Sequence, residues 1–591
     1  MARRRFLVAL TGALSLLASA VSVASAEPDV SLTGSGWGHG VGLSQYGAKA
    51  MGADGVGYRQ IIHRYFSGVL LSPLTTVAAG TFVATDPAPL LVGLLQNSNT
   101  VSFNLESGQA RLCFDGSGSC VYTAGPGEEF RFMASGPAGC VFLREPSGGV
   151  PTIIGGPGPC NASVRPNSDQ AIIDLPYKAR SYRHGTLLFR QAATTGGIHA
   201  VFEVDVDNYL KGISEVPDSW PSEAIKAQVV VSRSYASRKA LDRGNQATFD
   251  QARRDECFCN LRDDSSDQVF RGWSGEVDHP NWVAAVESTA QQVISYAGTV
   301  ALGMFSSSSG GHTESYQNVF GEASHPYLAT VTDAAAFSDL AGNPHKAWTA
   351  GYTQSTLSEV FGFDWLSNAA VIERHDSGST RSVRLTGIVN GRPVEKTVSG
   401  VEMQSALSLR STNFDLLVAP RFSDVQPHHV FAGEILGLHE LGVTKGCTTG
   451  TFCPDRPVSR AEMAAFLVRA FNLPTVPAAQ PYIDDDGHAL EAEINTLYAN
   501  GITSGCAPKR FCPDRPVSRA EMAAFLVRAV DLPDGDAETV FNDDDEHFFK
   551  NEISSLVASG ITSGCAPDAY CPDRPVSRAE MAAFLVRTLA R

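Results

Sequence analysis

The sequence lacks a second long apolar run and lacks an excess of positive charge. Beyond residue 23, no stretch approaches the roughly 18 uncharged apolar residues that a membrane-spanning helix needs, so we expect no transmembrane segment in the mature chain. The formal net charge is −16. Since binding to phosphates by counterion release requires clustered lysine and arginine, nucleic acid is not an expected partner. Any attachment to a surface must then be made by protein modules.

The one long apolar run has the form of a secretory signal. Three arginines within residues 1–5 precede an apolar stretch over residues 6–23, and Ala24, Ser25 and Ala26 form a small-residue cleavage pattern. We therefore predict that residues 1–26 are a signal peptide and that the rest is exported. A chain of 591 residues with a hydrophobic fraction of 43% predicts several domains with buried cores.

The twelve cysteines fall into six pairs that are close in sequence. In an exported protein, an even number of cysteines favours disulfides. We predict disulfides for five pairs: Cys113 with Cys120, Cys140 with Cys160, Cys447 with Cys453, Cys506 with Cys512, and Cys565 with Cys571. The sixth pair, Cys257 and Cys259, is too close for an easy bridge, so a strained disulfide, two free thiols and part of a metal site stay open.

An internal repeat organises the C-terminal part of the chain. The segment Ser-Arg-Ala-Glu-Met-Ala-Ala-Phe-Leu-Val-Arg recurs at a constant step of 59 residues. This defines three modules: 421–480, 481–539 and 540–591. In each module a second helix is predicted to begin at the serine of this segment, with the glutamate completing a capping box. Met463, Phe466 and Leu467 form one apolar stripe on that helix, which predicts core packing in an all-α unit.

Residues 27–415 have the pattern of mainly β (α+β) structure with one prominent helix. Alternating segments such as 186–190 and 200–205 are typical of strands. The stretch 80–165 is richer in Gly, Pro and Ser and holds two cysteine pairs, so we predict a disulfide-containing β insertion there. This divides the region into an N-terminal segment, an insertion and a main domain, at 27–79, 80–165 and 166–415.

One segment carries the residues best suited to chemistry. Pro221 suits the first turn of a helix, which places Glu215 in the turn just ahead of it. A helix N-terminus lowers the pKa of a carboxyl, whereas apolar neighbours such as Val216 and Trp220 raise it. General-acid catalysis at neutral pH requires the rise to prevail. From residue chemistry alone, Glu215 is either a capping carboxylate or a catalytic acid, and Glu223 is a first-turn helix carboxylate.

This segment resembles the stage II sporulation protein D/amidase enhancer (SpoIID/LytB) family. The matching positions are Tyr209-Leu210, Gly212, Glu215, Pro217, Pro221, Glu223-Ala224, Lys226-Ala227-Gln228 and Arg233-Ser234-Tyr235, with Ser234 where threonine is usual. The segments 36–48, with Gly-Trp-Gly-His-Gly, and 306–314 also match. In the family, the Gly-Trp-Gly-His-Gly segment closes the domain, but here it follows the signal peptide. We interpret this order as a circular permutation.

The resemblance implies a peptidoglycan lytic transglycosylase. Family members with this activity use the glutamate at the position of Glu215 as catalytic acid on the bond between N-acetylmuramic acid and N-acetylglucosamine. The same carboxylate then accepts the proton of the sugar's 6-hydroxyl, so the second carboxylate of hydrolytic glycosidases is not needed. The predicted substrate-binding residues are Trp37, His39, Gln45, Arg233, Ser307 and His312. For the histidines and Trp37, the alternative is a structural role in backbone bonding or core packing.

The repeats resemble S-layer homology (SLH) modules, although their paired cysteines are not part of the common module pattern. Such modules bind an anionic secondary cell-wall polymer, and Arg460, Arg519 and Arg578 at helix N-termini suit that ligand. The alternative is that each Arg–Glu pair only organises the start of its helix.

These resemblances lead to one function and two alternatives. We expect a secreted, wall-anchored protein acting on peptidoglycan strands. The alternatives are a non-catalytic glycan-binding activator of a peptidoglycan amidase and an S-layer-associated structural protein. Some relatives hold zinc near the position of Cys257 and Cys259, but zinc usually takes at least three protein ligands and His279 is the only other candidate. We therefore predict no cofactor and no metal site.

Overall fold

The computed structural model describes residues 29–115, 120–136, 139–146, 149–321, 325–426, 428–475, 481–535 and 541–591. The predicted signal peptide lies outside these residues. The strands are β1 Val30–Gly34, β2 Leu43–Ser44, β3 Leu70–Pro73, β4 Leu90–Ser98, β5 Thr100–Ser107, β6 Ala110–Phe114, β7 Cys120–Ala124, β8 Glu129–Ala134, β9 Cys140–Arg144, β10 Thr152–Gly158, β11 Ala162–Pro166, β12 Ile172–Leu175, β13 Arg180–Tyr182, β14 Gly185–Gln191, β15 Ile198–Val204, β16 Leu261–Arg262, β17 Gln292–Tyr296, β18 Thr299–Val300, β19 Phe305–Ser306, β20 Trp348–Tyr352, β21 Trp365–Arg374, β22 Thr380–Val389, β23 Arg392–Ser399 and β24 Phe414–Val418.

The helices are α1 Gln45–Ala53, α2 Tyr58–Tyr65, α3 Leu74–Val77, α4 Phe82–Thr85, α5 Val206–Lys211, α6 Ser222–Arg243, α7 Gln251–Glu256, α8 Trp273–Glu276, α9 Pro280–Ser288, α10 Tyr316–Phe320, α11 Gln354–Phe361, α12 Gly400–Leu407, α13 Ala432–Glu440, α14 Arg460–Ala470, α15 Glu491–Ala499, α16 Arg519–Val530, α17 Lys550–Ala558 and α18 Arg578–Leu589. Within the described ranges, no helix combines the length and the apolar character needed to cross a membrane.

Two large sheets form the first core. Their strand orders are β16-β4-β15-β14-β11-β6-β7 and β10-β9-β8-β5-β12-β13. Alternate residues of β5 are buried, as expected for a strand with one face in a core. Between the sheets, the ring of Phe189 stacks on that of Phe132 at a centroid distance of 4.4 Å. The predicted insertion is therefore not a separate unit: its boundary at residue 165 falls inside β11, and strands from both sides of it share both sheets.

Helix α6 is the prominent helix that the sequence predicts. It begins after Pro221, and fourteen of its 22 residues are buried. It packs against α1, α2, α5, α9 and β17, so it is enclosed on nearly every side and has no clear polar face. Its N-terminal end is thereby fixed next to the N-terminal segment of the chain.

The N-terminal segment is built into the later part of the chain. Strand β1 pairs antiparallel with both β20 and β24, so that Leu32 lies opposite Ala350 and Leu416. Strand β2 pairs in parallel with β19, with Ser44 opposite Ser306. These pairings bring segment 36–48 beside 306–314. The circular permutation stays a prediction, because pairing shows where the segment lies and not how its order arose.

A three-stranded meander of β21, β22 and β23 carries the C-terminal unit. Helix α13 packs on β21, and Gly437 lies so close to the ring of Trp365 that an added Cβ would come within 2.9 Å of it. Residues 348–418 also form a core with β1, through residues such as Leu32 and Leu385. The sequence patterns do not predict this meander as a separate element.

The three repeats close into a ring. Helices pair between neighbouring repeats as α14 with α15, α16 with α17 and α18 with α13. At the centre, Val517 donates to Val458, Val458 to Val576 and Val576 to Val517, at 2.9–3.0 Å between backbone N and O. The predicted serine N-caps and capping boxes are present in all three repeats. The unit is rich in helix, but it is not all-α in the strict sense, because its repeats also pair through short extended segments.

Candidate functional site

A cleft of about 600 Å³ opens where the N-terminal segment, the turn before α6 and strand β19 meet. Five predicted site residues line it: Trp37, His39, Gln45, Glu215 and Ser307. Sequence reasoning gave no role to its other walls, which include Tyr235, Lys239, Asp267, Tyr316 and Phe320. Tyr235 belongs to the quoted motif, but the other four have no pattern that could have identified them.

The turn that carries Glu215 is packed tightly against residues 270–275. A Cβ added at Gly212 would lie 2.6 Å from the ring of Phe270, which explains the glycine. The backbone N of Arg271 donates to the carbonyl of Gly212 at 2.8 Å. Ser214 has a φ of +37°, a conformation that costs about 1–3 kcal/mol and is found at functional sites. The carboxyl that follows is therefore held at a defined place.

The other end of this turn is fixed by Asp218. Its carboxylate accepts a hydrogen bond from the backbone N of Trp282 at 2.7 Å, near the start of α9. The indole Nε1 of Trp282 donates to the carbonyl of Leu210 at 2.7 Å. Glu215 thus lies between two anchored points, and a fixed supporting shell is what precise catalysis requires.

Burial controls the charge of Glu215. Removal from water raises the pKa of its carboxyl from 4.5 to about 7, and the nearby Arg271 opposes this rise. Among the described residues, no hydrogen bond to the carboxyl accompanies this shift. Near neutral pH both protonation states are therefore populated, which is the condition for a group that donates a proton and then takes one back.

The second carboxylate in the cleft is fully engaged. Asp267 accepts hydrogen bonds from Nη1 of Arg243 at 2.6 Å, from the hydroxyl of Tyr235 at 3.0 Å and from the backbone N of Arg262 at 2.8 Å. Its side chain is completely buried. It is thus placed to hold Tyr235 and α6 in position, and Glu215 is the carboxyl in the cleft without such partners.

His39 is a neutral hydrogen-bond donor in this geometry. The backbone N of Val41 donates to its Nδ1 at 2.9 Å, so the ring proton must be on Nε2. Burial lowers the pKa of His39 to about 4.

Trp37 is 46% exposed and has the guanidinium of Arg410 5.0 Å from its ring centroid. An exposed, fixed indole of this kind can contact the face of a sugar ring.

Two predicted binding residues are not in this cleft. His312 lines a small neighbouring pocket with His39 and Glu314. The structure contradicts the predicted binding role of Arg233, because its side chain is fully buried. The guanidinium donates to Asp207 at 2.8 Å and to the carbonyls of Gln292 and Val286. These partners lie in the packing layer around α6. Arg233 therefore has a structural position and no access to a ligand in the cleft.

The three repeat arginines join the repeats to one another. Each is about 3% exposed, and its Nε donates to a carbonyl of the next repeat, at Phe511, Tyr570 and Phe452. Their ion pairs also cross repeats: Arg460–Glu521 at 3.0 Å, Arg519–Glu580 at 3.1 Å and Arg578–Glu462 at 3.5 Å. They do more than organise their own helix starts, because together they close the ring.

A groove of about 450 Å³ lies between the third and first repeats. Three cations line it: Arg578, Lys445 and Arg469. Of these cations, Arg469 pairs with Glu493 at 3.4 Å, whereas Lys445 makes no ion pair among the described residues. The groove therefore presents one uncompensated cation.

All six cysteine pairs lie at disulfide distance. The five pairs that the sequence predicts are Cys113 with Cys120, Cys140 with Cys160, Cys447 with Cys453, Cys506 with Cys512, and Cys565 with Cys571. The first of these joins β6 to β7, the second joins β9 to the residues just before β11, and the other three each close a loop ahead of the second helix of a repeat. The sixth pair, Cys257 with Cys259, is at disulfide distance as well, so of the three possibilities left open for it the geometry agrees with a disulfide.

The candidate zinc ligands do not come together as a site. His279 Nδ1 lies 2.7 Å from the carbonyl of Gly275, and both cysteines of the Cys257 pair are engaged with each other. In the described ranges, the one cluster with metal-ligand spacing is Asp484 with Cys506 and Cys512, whose two cysteines are at disulfide distance from each other. The absence of a cofactor stays a prediction.

Comparison with known proteins identifies one family in the central region and another in the C-terminal repeats. Residues 194–296 match the family described as stage II sporulation protein. Residues 421–464, 481–523 and 540–582 match the S-layer homology domain. The first match includes Glu215, and the other three include the capping boxes of the repeats.

Three relatives illustrate the similarity. S-layer protein EA1 of Bacillus anthracis is 31% identical over 171 residues, which is 28% of this chain and 20% of the relative. The amidase enhancer of Bacillus subtilis is 30% identical over 189 residues, 31% of this chain and 22% of the relative. An uncharacterized cell wall amidase of Bacillus anthracis is 31% identical over 147 residues, 24% of this chain and 28% of the relative. The matched regions thus span less than a third of each of these relatives.

These matches indicate association with the cell surface or cell wall. The chain contains a domain of the stage II sporulation protein family at residues 194–296, followed by three S-layer homology domains between residues 421 and 582.

Proposed function

We propose that the protein is a wall-attached lytic transglycosylase that cleaves the bond between N-acetylmuramic acid and N-acetylglucosamine in peptidoglycan. The observation that supports this most is the state of Glu215, a carboxyl in an open cleft with a pKa raised to about 7. The protonated carboxyl donates to the glycosidic oxygen as that bond breaks. The resulting carboxylate then takes the proton of the 6-hydroxyl as O6 bonds to the anomeric carbon. A 1,6-anhydro end is the product, and no water is consumed.

Three further features of the cleft support this chemistry. Asp267 is neutralised by Arg243 and hydrogen-bonded by Tyr235, so no second free carboxylate lines the described part of the cleft for a hydrolytic mechanism. His39, with its proton on Nε2, offers a neutral donor to an oxygen on the sugar. Trp37 offers an exposed aromatic surface to a pyranose face.

The test is the product of the reaction. Purified glycan strands, with and without stem peptides, are incubated with the full chain and analysed by mass spectrometry. We expect 1,6-anhydromuramoyl ends, and we expect Glu215→Gln to reduce their formation by about a hundredfold to ten-thousandfold, since the acid of the reaction is lost. The matched control is Glu223→Gln, because Glu223 lies outside the cleft and caps α2 at Tyr58. Reducing ends as products, or activity retained in Glu215→Gln, would reject the mechanism.

The similarity to an amidase enhancer favours a second candidate, a glycan-binding activator of a peptidoglycan amidase. The two candidates differ in what Glu215→Gln does. An activator would stimulate a purified amidase equally well with this substitution and would form no anhydro ends by itself.

The repeats are proposed to hold the protein on an anionic secondary polymer of the wall. The groove between the third and first repeats has the size and the uncompensated cation that such a ligand requires. Of the three predicted arginines, Arg578 lines this groove, whereas Arg460 and Arg519 are buried at the contacts between repeats.

A further inference from the structure

A row of aromatic rings continues from the wall of the cleft along the surface. It consists of Trp37, His345, Tyr46 and Trp220, whose successive ring centroids lie 4.6, 5.7 and 5.3 Å apart. Trp37 lines the cleft, whereas the other three rings lie beyond it. We call these four residues the aromatic row. Each ring is at least partly exposed, and an exposed apolar patch bordered by polar groups is typical of a binding surface.

Backbone hydrogen bonds fix the row in place. The backbone N of Gly36 donates to the carbonyl of His345 at 2.8 Å, and that of Tyr46 donates to the carbonyl of Ser307 at 3.1 Å. The backbone N of His345 also donates to Oδ1 of Asn343 at 2.8 Å. The row is therefore formed before a ligand arrives, which lowers the entropic cost of binding.

The row carries hydrogen-bonding groups that the protein leaves unused. The hydroxyl of Tyr46 and the indole Nε1 of Trp220 have no hydrogen-bond partner among the described residues. Neither atom is sealed from solvent, so a ligand on the surface can reach both. A ring with an apolar face and a polar edge suits a sugar, which has C–H groups on its faces and hydroxyl groups around its rim.

Two cations border the row. The guanidinium of Arg410 lies 5.0 Å from the ring centroid of Trp37. The Nζ atom of Lys49 lies 5.6 Å from the centroid of Tyr46 and 5.4 Å from that of Trp220. Neither cation makes an ion pair or a side-chain hydrogen bond among the described residues. In a chain with a formal net charge of −16, two uncompensated cations beside one row of rings favour an anionic ligand.

We infer that the aromatic row is a glycan subsite beyond the cleft and that it binds sugar units carrying a carboxylate. The inference rests on the proposed function, because the strand that passes Glu215 is the one that continues over the row. Sugar rings stack on the aromatic faces, and Lys49 and Arg410 hold the carboxylates. In peptidoglycan two sources carry this group: the lactyl group of a muramic acid without a stem peptide, and the carboxyl groups of a stem peptide.

The first experiment measures binding by isothermal titration calorimetry on the full chain with Glu215→Gln, so that the probes are not cleaved. The probes are a peptidoglycan hexasaccharide without stem peptides, the same hexasaccharide with them, and an N-acetylglucosamine hexamer, which has no carboxylate. We expect at least one peptidoglycan fragment to bind about tenfold more tightly than the hexamer, because charge-assisted contacts are added. The fragment that does so identifies the source of the carboxylate. Equal or weaker binding of both peptidoglycan fragments would overturn the inference.

The second experiment removes the two cations in the same Glu215→Gln background. Lys49→Gln with Arg410→Gln should weaken binding of the preferred peptidoglycan fragment about tenfold, since each exposed charge contact contributes up to about 1 kcal/mol. Binding of the uncharged hexamer should not change. The control pair is Lys509→Gln with Arg381→Gln, two exposed cations away from the row. Unchanged binding of the peptidoglycan fragment, or equal weakening for the hexamer, contradicts the inference.

The third experiment tests the rings. Trp220→Leu keeps an apolar side chain but removes the indole, so binding of both kinds of hexasaccharide should weaken about tenfold. Unchanged binding would exclude Trp220 from the subsite. If this variant unfolds, the cation variants still decide. None of these readouts requires cleavage, so failure to form anhydro ends would reject the proposed activity and leave the subsite standing, whereas failure of the binding tests would leave the activity untouched.

Discussion

At the scale of single residues, the protonation of Glu215 connects the proposed catalysis with stability. Burial disfavours the ionised carboxyl, and its pKa rises from 4.5 to about 7. Below pH 4.5 the group is protonated in both the folded and the unfolded chain, so it has no effect on stability. Between pH 4.5 and 7 the unfolded chain loses this proton first, and the free energy of unfolding falls as pH rises. Above pH 7 the loss in the free energy of unfolding is constant, at most about 3 kcal/mol.

Because the free energy of unfolding falls as this group ionises, a prediction follows for Glu215→Gln that is independent of any substrate. At pH 8 the variant should be more stable than the natural chain by up to about 3 kcal/mol, because the buried charge is removed. At pH 4 the two should unfold alike. Calorimetric melting of both proteins at the two pH values measures the difference. A variant that is less stable at pH 8, or equally shifted at both pH values, would show that burial does not set the pKa of Glu215.

The same pKa predicts the pH dependence of the proposed reaction. The acid form of Glu215 is needed to protonate the leaving oxygen, so kcat/KM should fall about tenfold per pH unit above pH 7. His39 should not contribute a limb in this range, because its pKa is lowered to about 4. Initial rates of anhydro-end formation from pH 5 to 9 test this. A plateau extending to pH 9 would contradict the assignment of Glu215 as the acid.

At the scale of elements, α6 shows why part of the site could be predicted and part could not. Glu215 and Trp37 stand in short motifs whose local sequence fixes a turn or a glycine-rich loop, and the cleft contains both. Arg233 stands in the same motif as Glu215, but a motif identifies a residue and not the direction of its side chain. Since α6 is enclosed by other elements on nearly every side, only packing decides that Arg233 faces Asp207 and not the cleft.

Non-local strand pairing explains why the predicted boundary of the β insertion does not match the sheets. Composition separates residues 80–165 from the rest, but strands are paired by contacts across the sheet, which local patterns do not encode. Thus β11 pairs with both β6 and β14, across the predicted boundary. In contrast, the capping boxes at Ser459, Ser518 and Ser577 depend on residues three apart, and they are found as predicted.

The buried position of Arg233 gives a prediction for α6. Arg233→Met removes the guanidinium and leaves Asp207 and two carbonyls without their donor, so stability should fall by about 3 kcal/mol. For the fraction that remains folded, KM for glycan strands should not change. The control is Lys226→Gln on the same helix, whose partly exposed pair with Glu223 should contribute less than about 1 kcal/mol. A raised KM with unchanged melting would return Arg233 to substrate binding.

At the scale of the whole molecule, the ring of repeats is a single unit on which the proposed wall attachment depends. Helix α13 of the first repeat packs against α18 of the third, and a second set of cross-repeat pairs, such as Arg587 with Glu434 at 3.1 Å, accompanies the arginine ring. Replacing Arg460, Arg519 and Arg578 would therefore open the ring and would not test binding by itself. A binding test needs a cation that lines the groove but makes no ion pair between repeats.

Lys445 meets that condition, and it supports the last prediction. It lines the groove between the third and first repeats, is exposed, and has no ion-pair partner among the described residues. Lys445→Gln should weaken co-sedimentation of the full chain with purified walls about threefold at low salt, without lowering the melting temperature, because a surface charge contact contributes up to about 1 kcal/mol. The difference should shrink as salt rises, since screening weakens exposed charge contacts, and it should vanish on walls stripped of secondary polymers. Lys509→Gln, an exposed lysine of the second repeat outside this groove, serves as the control. Equal retention of the Lys445 variant and the natural chain at every salt concentration would mean that this groove does not hold the polymer.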